Sequence, residues 1–86
     1  MKHSERGFMK TYIIYAIKGY DCVIDNKQYH PIKAFVGIVE KVGSVDKITG
    51  LKLIKCSKDF TADLNKKCNI LFDDYGKAVF VKYLND

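Results

Sequence analysis

The chain has 86 residues, 48% of them apolar and 13% aromatic, and 15 Lys+Arg against 10 Asp+Glu give a net charge of +5. So short a chain makes one domain and buries only roughly 60% of its unfolded surface, so the core is small. The apolar content excludes a disordered chain, and no apolar run is long enough for a transmembrane helix.

Residues 1–8 (Met-Lys-His-Ser-Glu-Arg-Gly-Phe) begin polar and lack the apolar centre of a secretory signal. They are read as a disordered N-terminal extension, with Met9 as an alternative start, ahead of a single β-rich domain over residues 9–86. Thr11–Lys18 is almost continuously apolar, β-branched and aromatic, which favours a strand. Ile13, Tyr15 and Ile17 share one face; Tyr12, Ile14 and Ala16 share the other. Two apolar faces point to a central strand, or to one that bends between two surfaces. Gly19-Tyr20-Asp21 breaks it, Cys22–Ile24 is a short strand, Asp25–Gln28 a polar turn, and Tyr29-His30-Pro31 extended.

Lys33–Val42 is the second long strand, and Gly37 in its middle marks a bulge, a bend or a close backbone approach. Gly43–Gly50 reads as a loop and Leu51–Cys56 as another strand. Ser57–Asn69 is the only helical segment expected. Asp59 suits its N-cap, Phe60 and Leu64 form an i,i+4 pair, and two turns at most fit before Asn65-Lys66-Lys67. Cys68–Leu84 closes the chain as a hairpin around Asp73-Asp74-Tyr75-Gly76-Lys77, a type I turn with Gly76 in the left-handed position. Phe72 and Val79 are expected in its core-facing rows. The whole reads as an all-β or β-rich α+β domain: a strongly bent antiparallel sheet or SH3-like or OB-like barrel. It has five to six strands, with one short helix before the last hairpin.

Cys22, Cys56 and Cys68 are odd in number and lie 34 and 12 residues apart. The odd number without a C-x-x-C pair argues against a disulfide framework, and a structural zinc site needs ligands about two to four residues apart, so these read as small apolar residues in a reducing, cytoplasmic protein. No metal or other cofactor is expected. A Cys–His nucleophile would need His30 beside a thiolate, and nothing in the spacing provides it. Asp73-Asp74 has a mechanical reason in its turn, and the scattered glycines make no phosphate-cradling loop. No catalytic residue is assigned and no enzymatic activity is expected. The abundance of Lys, Ile, Asn and Asp fits an AT-rich coding sequence, as in a low-GC bacterium or its phages.

Two binding classes follow. Small barrels that bind single strands use a basic groove with aromatic platforms. Here the candidates are Tyr20, Tyr29 and Tyr75 at turns, with Lys33, Lys41, Lys47, Lys52, Lys55 and Lys58 as phosphate partners. Against this, the lone Arg6 lies in the extension, the lysines do not fall on one strand face, and Lys also serves to blunt exposed strand edges. The alternative is a protein-binding module, an inhibitor or accessory protein or a homodimer, that uses Tyr-rich turns or an open sheet edge.

Overall fold

The structure, a computed structural model, describes residues 10–84, so the extension expected over residues 1–8 lies outside the described residues. Seven strands run in chain order: β1 Thr11–Gly19, β2 Cys22–Ile24, β3 Lys27–Tyr29, β4 Ile32–Val42, β5 Val45–Cys56, β6 Lys67–Phe72 and β7 Ala78–Tyr83. Five of them form a closed barrel in the order β1-β4-β5-β7-β6, and β2-β3 is a separate hairpin. The first three barrel strands make an antiparallel meander, β6 returns to pair with β1, and β7 meets β5 in parallel. Of the two barrels expected, this is the OB-like order. Among the described residues, closure beside β5 rests on the single pairing Cys56↔Ala78, so the rest of β5 keeps an open edge.

The core follows from strand alternation as far as the strands stay regular. Tyr12 and Ile14 of β1, Ala34 and Val36 of β4, Ile54 and Cys56 of β5, Cys68 and Ile70 of β6, and Ala78 and Val81 of β7 are buried together. Ile14 and Ile70 are fully buried, and each contributes about 1.5–3 kcal/mol. Three bulges shift the alternation. The register skips Tyr15 between Ile14 and Ala16, which turns Ile17 toward the core in place of Ala16. It skips Thr49 on β5 and Val79 on β7. Val79 is therefore 38% exposed, against the core position expected for it, whereas Phe72 packs against the core as expected.

The closing hairpin has the expected geometry. The Asp73 carboxylate accepts the backbone N–H groups of Tyr75 (2.9 Å) and Lys77 (2.8 Å), and Gly76 sits at φ +80°. The expected Asp25–Gln28 turn is narrower: Asp25 and Asn26 take φ 53° and 64°, and Lys27 already belongs to β3. Positive φ at both positions makes this a type I′ turn, whose twist matches a tight hairpin. The loop expected over Gly43–Gly50 contracts to a turn at Gly43-Ser44, and the rest is the first half of β5.

None of the described residues is helical, and no helix among them is long and apolar enough to cross a membrane. The helix expected over Ser57–Asn69 is replaced by two turns and the start of β6. Two turns of helix are marginal alone, and this segment spends its bonds on the barrel. Ser57 donates its N–H to the Ala78 carbonyl, and Asn65 donates its N–H to the Ile14 carbonyl at 2.8 Å with φ 63°. Phe60 plugs the core while Leu64 is 45% exposed, so the supposed i,i+4 pair is split. The Asn69 amide, the one buried polar side chain among the described residues, donates to the Lys10 carbonyl at 2.7 Å and ties down the start of β1.

Candidate functional site

The outer face of β1, β4 and β5 carries three cross-strand rows. Because Ala34 and Ile54 point into the core, their neighbours Lys33, Phe35, Leu53 and Lys55 point out. The register aligns Lys18↔Lys33 and Lys33↔Lys55, which makes a rung of three lysines across three strands. The next row is Ala16↔Phe35↔Leu53, and beyond it lie Ile13↔Gly37↔Leu51. Among the described residues, none of the three rung lysines forms an ion pair. Like charges directly opposite each other on a sheet repel.

Phe35 is 39% exposed and Leu53 57% exposed, so an aromatic ring and an aliphatic side chain lie open beside this rung. Tyr15, on the bulge of β1, backs Phe35 with ring centroids 6.0 Å apart at 44°. Its ring fits because the facing position is Gly37. A Cβ there would stand 2.9 Å from the Tyr15 ring carbon Cε2 and hydroxyl. In place of the bulge, bend or close backbone approach expected at Gly37, side chains, Tyr15 foremost, fill the space there.

The sequence-based candidates divide. Lys33 and Lys55 belong to the rung. Lys52 stands opposite Val36, on the other face of β5 from Lys55. Lys41 lies on the same face of β4 as Lys33 but at the far end of the strand, paired with Asp46 at 3.7 Å, and Lys47 stands opposite Glu40 on the other face. Lys67 also reaches Asp46, at 2.6 Å, and this hydrogen bond, ahead of the neighbouring ammonium charges, holds the Asp46 carboxyl below its ordinary value. Tyr20 is tied by its backbone N–H to the Pro31 carbonyl, and Tyr75 is the exposed tip of the last turn. Tyr29 and Lys58 meet at one end of the barrel, in a cavity of about 210 Å³ that Lys77 also lines. The candidate lysines were expected not to fall on one strand face; two of them, Lys33 and Lys55, come together across strands, joined by Lys18. Sequence reasoning missed Lys18 and Phe35, because a row across strands has no signature within any one of them, and Lys77, because the cavity gathers separate connections.

Free thiols occur at Cys22, Cys56 and Cys68. Burial pushes the Cys68 thiol up to about 11 and raises that of Cys56, so both stay protonated at neutral pH. Burial also raises the Tyr12 hydroxyl. Cys56 shares a cavity wall with His30, yet its thiol donates to the Ile54 carbonyl and the imidazole is held by Asp21 at 2.6 Å. Among the described residues, no three His, Cys, Asp or Glu side chains are grouped as metal ligands. Comparison with protein-family models, with curated proteins and with solved structures finds no significant match. Fold and surface define a class only: a small OB-like barrel with a basic, aromatic-bearing sheet face.

Proposed function

We propose that the chain is a small, non-enzymatic, cytoplasmic module that binds single-stranded nucleic acid on the outer face of β1, β4 and β5. The observation that carries this reading is the unpaired rung Lys18–Lys33–Lys55 beside the exposed ring of Phe35. Edge protection can serve Lys18 and Lys55, each without a strand partner on one side, but not Lys33. Lys33 lies in β4, which is paired on both sides, so there is no edge for it to blunt. A polyanion would relieve the repulsion among the three ammonium groups, and an unpaired base would stack on Phe35. Arg is absent from the described residues, which fits backbone contact rather than bidentate reading of base edges. The three free cysteines fit a reducing compartment.

Fluorescence anisotropy with single- and double-stranded DNA and RNA, at several salt concentrations, tests the reading. A single strand is expected to bind more tightly than a duplex. Alanine at Lys18, Lys33 and Lys55 together is expected to flatten the log–log salt slope by about 2, at roughly 0.7 per phosphate contact. No binding at low salt, or an unchanged slope in the triple variant, refutes it. A second reading, a protein partner added as a strand, draws on the open edge of β5 and on Leu51 and Leu53, 60% and 57% exposed. Under that reading alone, the triple variant leaves nucleic-acid behaviour unaltered, and a proline at the β5 edge abolishes partner binding.

A further inference from the structure

We propose that the barrel-end cavity beside the lysine rung recognises a terminal phosphomonoester, so that the bound strand is held by one phosphorylated end. This rests on the nucleic-acid reading above. The cavity is lined by Tyr29, His30, Lys58 and Lys77, with Ile32 and Cys56 at its base. Ile32↔Cys56 is the register position immediately beyond Lys33↔Lys55, with both side chains turned to the core, so the cavity opens at the strand ends one residue past the rung. Three separate connections supply its polar groups: β3–β4 gives His30, β5–β6 gives Lys58 and β6–β7 gives Lys77.

Each of these is anchored. Asp21 holds the His30 imidazole at 2.6 Å, and the Asp73 carboxylate accepts the Lys77 N–H at 2.8 Å. Beside Lys58, the Ser57 N–H donates to the Ala78 carbonyl at 2.9 Å. Among the described residues, the carboxylate next to the cavity is Asp21, 2.6 Å from the His30 Nδ1, and none lines the cavity itself. Tyr29, the last residue of β3, lines the cavity beside these groups. A phosphodiester carries one negative charge, whereas a phosphomonoester carries about 1.5 to 2 at neutral pH and offers three acceptor oxygens. Two lysines and an imidazole around one small cavity match the second.

The test uses one single-stranded oligonucleotide with an internal fluorophore, prepared with a 5′-phosphate, with a 3′-phosphate, or with hydroxyls at both ends. One phosphorylated form is expected to bind about five- to tenfold more tightly than the dihydroxyl form, the scale of two exposed ion pairs. Lys58→Gln/Lys77→Gln is expected to erase that preference and to leave binding of the dihydroxyl form within about twofold. The melting temperature of this variant is expected to match the parent, since both side chains lie at the surface. Equal binding of all three forms, or a preference that survives in the double variant, overturns the end-recognition proposal while the nucleic-acid reading stands. Failure of all three forms to bind overturns both.

Discussion

Replacing Lys33 by Met is expected to make the domain more stable and its ligand binding weaker. Lys33 is the middle of the rung, directly opposite Lys18 on one side and Lys55 on the other. Met keeps most of the unbranched stem that lies against the sheet and removes only the charge. Like charges facing each other on a sheet cost roughly 0.2–1 kcal/mol per pair. Two such pairs are relieved, and flexible lysine stems splay apart, so a gain of about 0.5–1 kcal/mol is expected. For a domain of this size that raises the melting temperature by about 2–8 °C. Thermal melts followed by circular dichroism in 20 mM and in 1 M salt measure it. The gain should be largest at low salt and should nearly vanish at 1 M, where the Debye length is about 3 Å. In anisotropy titrations the same variant should lose about 0.7 of the salt slope. A variant that melts at or below the parent at low salt removes the repulsive rung. One that melts higher but binds with an unchanged slope removes Lys33 from the phosphate contacts.

Gly37→Ala places a Cβ 2.9 Å from the Tyr15 ring, and is expected to cost about 1–3 kcal/mol by overpacking, partly offset by a stiffer unfolded chain. Most of the cost should disappear when Tyr15 is also replaced by Ala in a double-mutant cycle by urea denaturation, the Ile48 Cγ2 contact at 3.2 Å leaving a remainder, and an undiminished cost would clear Tyr15 of the clash. Val81→Asp should abolish cooperative melting, since Val81 is buried, whereas Val79→Asp on the exposed bulge should fold; the opposite pattern would overturn the β6–β7 register. The Cys68 thiol ionises near 9 when unfolded and at about 11 when folded. The unfolded state therefore binds fewer protons in between, and stability should fall by about 2–3 kcal/mol as pH rises from about 9 to about 11. Urea midpoints across that range should decline less steeply in Cys68→Ala, with Cys56 and Tyr12, shifted in the same direction, supplying the remainder. The Asp46 carboxyl is lowered first by the Lys67 hydrogen bond, so its contribution is present above the ordinary carboxylate value and lost as pH falls toward the lowered one. Asp46→Asn should remove that acidic limb from the stability profile, and an unaltered profile would show that the pair contributes nothing.

The strands and their turns were legible because they are local. Thr11–Lys18 and Lys33–Val42 carry enough β-branched and aromatic residues to be strands in any context, and Asp73 to Lys77 spells out its own turn. The Ser57–Asn69 segment misled because its helical features, a cap and one apolar pair, are weaker than a buried Phe60 and backbone bonds offered by Ala78 and Ile14. Residues 43–50 misled for a similar reason: polar and glycine-bounded, they look like a loop until β4 pairs with Val45–Ile48 and Gly50, leaving Gly43-Ser44 as the turn and Thr49 as a bulge.

By itself the sequence determined a β-rich domain, its closing hairpin, the lysine excess and the odd number of cysteines. These depend on residue type and on neighbours a few positions away. Tertiary structure alone decided which lysines act together. Alternation assigns a face only within an unbroken strand, and the bulges at Tyr15, Thr49 and Val79 each shift it. Lys18, Lys33 and Lys55 come from three strands, and their alignment is a matter of register between strands, which no residue states locally.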